Sequence, residues 1–315
     1  MPLPSEASFS YLGIPIKPGG LIDTAVLINL NTKKAGSSMN QISSLGVNHK
    51  GFNRLLLVRF YSQMIRSQME YGLAICTLNS SHFTKLEACQ NECIRRIFGG
   101  SARSSTKVML HLVQQPSMTT RATILQAKHL IRSMQLPDDT LLNKLLPHLQ
   151  MSSSHSHWYK LTVNPLWREC APILDELDRK VFKRLRLRFQ KTQYENLCQG
   201  LKSKLIRTCR PHMIVDPILW LPMTNTKRSQ VLCCCTHSIE CLHMHHRLQM
   251  PRTVTNPLSF LLNQLPIKKL KHSQDVAPWT IRWPAICITL HEIDYLFHEK
   301  LPPDPPSEPN SLLMK

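Results

Sequence analysis

Fourteen residues hold the densest chemistry in this chain: Cys233-Cys234-Cys235-Thr236-His237-Ser238-Ile239-Glu240-Cys241-Leu242-His243-Met244-His245-His246, with eight thiol or imidazole groups among them. Zinc takes four such donors in a tetrahedron, so the segment carries more than one ion needs. The competing reading is a thiol-rich helix end with exposed histidines. Cys89 and Cys93 stand four apart earlier in the chain, with no second pair near them. For these two, buried thiols behaving as small hydrophobes fit better than a metal site.

Other chemistries leave less trace. The sequence has no phosphate-binding glycine loop, no Gly-x-Ser-x-Gly and no His-Glu-x-x-His. His291-Glu292 begins like the last of these, but Tyr295 stands where the second histidine belongs. Two-metal phosphoryl transfer needs paired carboxylates. The only Asp-Asp pair is Asp138-Asp139, directly after Leu136-Pro137, where capping of the next helix explains it. No catalytic magnesium site is expected.

Charge gives the second signal. The 315 residues carry a formal net charge of +19. Residues 1–150 hold 16 Lys/Arg against 7 Asp/Glu, residues 151–272 hold 20 against 7, and the last 43 hold 3 against 6. An excess of this size favours polyanions and phosphate-backbone contact. The densest run is Arg179-Lys180-Val181-Phe182-Lys183-Arg184-Leu185-Arg186-Leu187-Arg188-Phe189. On a helix, Phe182, Leu185 and Phe189 share one face. Arg179, Lys183 and Arg186 fall on a second, and Lys180, Arg184, Arg188 and Lys191 on a third. Such a helix suits phosphates, an acidic membrane surface, or plain solvent exposure. Aromatic residues make up only 6% of the chain, which argues against a platform that stacks many bases.

These side chains need a scaffold, and periodicity predicts a helical one. Residues 9–16 alternate as a short strand. A helix is expected from Leu21 to about Ser44, with Ile22, Val26 and Leu30 as its apolar marks and a break or end near Gly36-Ser37-Ser38. Next comes a strong helix from Phe52 to about Glu70, striped by Leu57, Phe60, Tyr61, Met64, Ile65 and Met69. A third runs from about His82 to Phe98 after the cap signal Asn79-Ser80-Ser81, with Phe83, Leu86, Cys93, Ile94 and Ile97 inward and Gly99-Gly100 as its stop. Helices are predicted over Thr106–Val113, Met118–Met134 and Thr140–Gln150, the last capped by Asp138 or Asp139. A Ser/His-rich linker (Ser152–His157) separates them from the basic segment. The closing Leu301-Pro302-Pro303-Asp304-Pro305-Pro306 run is extended.

Apolar residues reach 42%, enough for a core. Eleven cysteines, an odd number, and no apolar leader after Met1 point to reduced thiols and a nuclear or cytoplasmic setting. No run approaches the roughly 18 apolar residues of a membrane span, so no membrane partner is expected.

Four pieces in order resemble one family. Tyr11-Leu12-Gly13-Ile14-Pro15-Ile16 is similar to the strand that closes the palm of non-LTR retrotransposon reverse transcriptases. Gly51-Phe52, Tyr61, Arg66 and Glu70-Tyr71-Gly72 resemble the first long thumb helix. Leu86-Glu87, Gln90 and Arg95-Arg96-Ile97-Phe98-Gly99-Gly100 resemble the next. Pro116-Ser117-Met118 with Arg121 matches the turn and arginine that follow. The resemblance covers about 110 residues. It implies a mainly α fold: a palm-closing strand or hairpin remnant (1–20), a thumb-like helical bundle (21–150), a basic helical connector (151–222), a Cys/His knuckle-like segment (223–266) and a C-terminal segment (267–315).

It also implies a function. A thumb holds a duplex by its backbone, through scattered cations on a rigid helical body. The candidates are Arg54, Arg59, Arg66, Lys85, Arg95 and Arg96, joined by Lys183, Arg184, Arg186 and Arg188 of the basic segment. The family's aromatic-x-Asp-Asp catalytic hairpin has no counterpart in this sequence, so RNA or DNA binding without polymerisation is the expectation. His237-x-x-x-Cys241 looks like the second half of the family's C-terminal knuckle, which implies zinc held by Cys233, Cys235, His237 and Cys241, although the loop is shorter than a knuckle normally uses. The alternatives are a helical protein-interaction module that docks on an acidic partner or an upstream polymerase part, and an unselected remnant of a mobile element.

Overall fold

The computed structural model describes residues 9–49, 51–100, 102, 104–151 and 156–199, with short stretches at 215, 219, 244–248, 250–254, 260, 284–289 and 292. The fold is mainly helical, with one two-stranded hairpin at its start. No helix among the described residues is long and apolar enough to cross a membrane.

The expected strand at 9–16 is a hairpin. Strand β1 (Phe9–Tyr11) pairs antiparallel with β2 (Ile14–Ile16), placing Tyr11 opposite Ile14. The two turn residues, Leu12 and Gly13, both have positive φ, at 50° and 75°. That is the twist a two-residue hairpin favours.

Helix α1 (Thr24–Ser44) starts on Asp23, whose Oδ1 accepts a hydrogen bond from the Val26 amide at 3.1 Å. It runs through Gly36 without a break. Its buried face is Leu27, Ile28, Asn31, Ala35, Met39 and Ile42, not the expected face: Val26 is 40% exposed and Leu30 52%. Asn31 explains the rotation. Its Nδ2 donates to the Tyr71 carbonyl at 2.8 Å, so a polar residue sits in the middle of the contact face.

The helix predicted over 52–70 is continuous but not uniform: α2 (Arg54–Phe60), a π turn (Tyr61–Ile65) and α3 (Arg66–Glu70). Leu57, Tyr61, Ile65 and Met69 are all buried, while Met64 is exposed. A strict four-residue spacing overshoots the 3.6-residue α turn, and the wider π turn takes up the drift. After a short 3-10 turn (Leu73–Ile75) comes α4 (Ser80–Phe98). Its cap is reciprocal: Asn79 Oδ1 accepts from the His82 amide at 2.9 Å, and His82 Nδ1 accepts from the Asn79 amide at 3.3 Å.

Helices α5 (Thr106–Leu112), α6 (Met118–Met134) and α7 (Leu141–Gln150) follow. Thr140, rather than Asp138 or Asp139, caps α7. Then come α8 (His157–Thr162), α9 (Pro165–Cys170), a 3-10 segment (Ala171–Glu176) and α10 (Arg179–Gln199).

The chain forms two compact units. The first comprises residues 1–47, 57–93 and 116–197. Ile124, Ala127, Leu130 and Ile131 of α6 share one of its cores with Leu161, Leu166, Trp167, Cys170, Leu177 and Phe189. The basic segment after residue 150 is thus built into the same body as α6. The second unit comprises 48–56, 94–115 and 198–315. Its described core residues include Ile94, Ile97, Phe98, Val108, Met109, Leu112 and Val113.

Candidate nucleic-acid interface

Helix α10 begins on Asp178, whose Oδ1 accepts from the Val181 amide at 2.6 Å. Phe189 is buried in the shared core, with Val181, Phe182 and Leu185 half-buried against it. Burial of this stripe fixes the roll of the helix. Arg179, Lys180, Lys183, Arg184 and Arg188 are consequently exposed, and Arg186 is half-buried at the edge. Arg188 donates through Nη2 to Glu169 Oε2 at 2.9 Å, and Lys191 lies 3.7 Å from Glu195 Oε1. Arg179, Lys180, Lys183 and Arg184 form no ion pair among the described residues.

Two cations that the sequence reading passed over belong with this surface. Lys128 and Arg132 lie one turn apart on the exposed side of α6. Burial lowers the Lys128 pKa, and the charges of Arg132, Arg121, Arg186 and Arg179 lower it further. Their one legible signal was the i,i+4 spacing of two cations on a helix, a common surface pattern; their closeness to α10 is set by tertiary packing.

The thumb candidates scatter. Arg59 and Lys85 are exposed, and Lys85 Nζ donates to Asn29 Oδ1 at 2.9 Å. Arg95 and Arg96 are half-buried, with Arg95 Nε on the Ser104 carbonyl at 3.4 Å. Arg54 leaves the surface altogether. It is 1% exposed, and its Nη1 donates to the His49 carbonyl at 2.9 Å. It occupies the first position of α2 and ties down the loop before it, so no phosphate reaches it without repacking. Arg66 also turns to an internal role: its Nε lies 3.1 Å from Glu70 Oε1. Burial lowers the Arg66 pKa and the Glu70 carboxylate opposes that. Arg121 completes the arrangement on Glu70, with Nε on Oε1 and Nη2 on Oε2, both at 2.7 Å.

Cys233, Cys235, His237 and Cys241 lie outside the described residues. Cys93 is buried and Cys89 half-buried with its thiol 3.8 Å from the Thr32 carbonyl, in keeping with structural thiols. Asp138 Oδ1 accepts from Asn143 Nδ2 at 2.8 Å, in the turn before α7. No family model, no curated protein and no solved structure matches this sequence.

Proposed function

We propose that this chain binds the phosphate backbone of RNA or DNA without reading its sequence and without polymerising. The carrying observation is α10: one stripe is buried, and the opposite surface presents Arg179, Lys180, Lys183 and Arg184 to solvent with no carboxylate paired to them among the described residues. Clustered cations on a rigid element supply backbone affinity by releasing counterions. The net charge of +19 acts in the same direction.

The resemblance to the thumb and downstream part of a non-LTR retrotransposon reverse transcriptase supports this reading, with template–primer duplex or element RNA as ligand and the nucleus or cytoplasm as its setting. The turn role of Asp138 supports a non-catalytic chain. Zinc at Cys233, Cys235, His237 and Cys241 belongs to the proposal as well, since thiolates with an imidazole are a donor set zinc accepts. Metal analysis of the purified chain checks it, with about one zinc per chain expected and loss of the metal on Cys241→Ser.

The main test is a filter-binding titration with a labelled duplex across a range of salt. Affinity should fall steeply as salt rises, and primer extension with magnesium and nucleotides should be absent. Salt-insensitive binding, or none, would sink the reading.

A further inference from the structure

The cations around α10 are not equivalent. On one side, Arg188 and Lys191 already hold Glu169 and Glu195. Toward α6, the charges of Arg132, Arg186 and Arg179 reach Lys128, and none of these four forms an ion pair among the described residues. The shared core forces this gathering. Ile124, Ala127 and Ile131 of α6 and Phe182, Leu185 and Phe189 of α10 enter the same apolar cluster, so the cations that flank them on each helix border one core. Arg186 Nε is buried and meets no acceptor among the described residues. A buried guanidinium donor without an acceptor is costly, and like charges brought near one another repel. An anion seated between the two helices relieves both.

We propose that the seam between α6 and α10 is the principal phosphate seat of this protein, gripping a phosphodiester of a nucleic-acid backbone through Lys128, Arg132, Arg179 and Arg186. This rests on the backbone-binding reading above and goes further by placing the tightest contact away from the outer row Lys180–Arg184–Arg188. The guanidinium fork of Arg186 matches the two free oxygens of a phosphodiester, and Lys128 and Arg132 add charge from the facing helix. Phe182 and Phe189 are turned into the core, so they offer no ring for base stacking. The grip is therefore on the backbone of a double helix rather than on splayed bases.

The test uses the full chain, a labelled duplex of about 20 base pairs (about two turns) and two double variants. Lys128→Gln/Arg132→Gln empties one wall of the seam; Lys180→Gln/Arg184→Gln strips the outer row. All four residues are exposed, and melting curves confirm that both variants fold. The seam variant should lose about tenfold in affinity or more, and its slope of log affinity against log salt should drop by about two. The outer variant should lose less than half as much on a logarithmic scale. Tripolyphosphate should raise the melting temperature of the wild type and leave the seam variant unmoved. Wild-type binding with an unaffected seam variant overturns the seam while the backbone-binding reading stands. No duplex binding by the wild type overturns both, even if tripolyphosphate stabilises it.

Discussion

Arg121 closes a two-pronged ion pair on Glu70, with both bonds at 2.7 Å, and joins α6 to the end of α3. Arg66 adds a third contact to the same carboxylate. The next residue continues the junction: the Tyr71 hydroxyl donates to the Leu12 carbonyl in the hairpin turn, and the Tyr71 carbonyl accepts from Asn31 of α1. Glu70-Tyr71-Gly72 thus ties the hairpin, α1, α3 and α6 together. Its conspicuous look in the sequence has a structural cause, independent of any ligand.

Removing one member of this pair should be felt as lost stability. The side chains are 20% and 13% exposed, so the cost lies between that of a surface pair and a fully buried one. Arg121→Met is expected to destabilise by about 2 kcal/mol, measured by urea unfolding. Glu70→Gln should cost at least as much, because it leaves Arg66 and Arg121 facing each other without a counter-charge. In a double-mutant cycle the two losses should be clearly less than additive.

Gly72 should resist replacement for two reasons at once. Its φ is +74°, and a Cβ there would stand 2.8 Å from Leu27 Cδ2. Gly72→Ala is expected to cost about 2 kcal/mol or more. Pairing it with Leu27→Ala removes the clash but not the backbone strain. The double variant should therefore recover part of the sum, and full additivity would show that the close approach is unimportant.

Much of this architecture was legible because its signals are local. The predicted bounds of α6 match those observed, and α5 ends one residue early; each is marked by a cap or by Pro116-Ser117. The failures are where a distant partner decides. The buried face of α1 turns on Asn31, whose acceptor is 40 residues away. Gln90 is buried because its Nε2 donates to the Tyr61 hydroxyl and the Pro116 carbonyl, each at 3.1 Å. Neither apolar periodicity nor charge marks such residues. The candidate site divides in the same way. The basic face of α10 follows from its own sequence, whereas Lys128 and Arg132 join it only through the shared core.

Arg54 separates a folding role from a binding role. With its guanidinium buried on the His49 carbonyl, Arg54→Met should lower stability by about 2 kcal/mol. Its salt slope for duplex binding should stay at the wild-type value, measured where the variant is fully folded. A slope reduced by about one would return Arg54 to the phosphate contacts.

Stability should fall at both ends of the pH scale, for opposite reasons. Burial pushes the Cys76 and Cys170 thiols up to about 11, Thr24 tempering the first and Glu169 reinforcing the second. The unfolded chain releases these protons near 9 while the folded chain keeps them. Unfolding free energy is therefore unaffected by them below about pH 9 and declines from there to about 11, by roughly 1 kcal/mol each at pH 10. At the acid end, burial lowers the His129 pKa, with the charges of His157 and Arg132 adding to it. The unfolded state then takes up the proton first, so stability is full above about 6.5 and drops as pH falls through that value. Denaturant melts from pH 5 to 10.5 read both limbs. Cys76→Ala/Cys170→Ala should flatten the alkaline limb between 9 and 10, and His129→Gln the acid one; an unchanged slope in either variant assigns that limb to other groups.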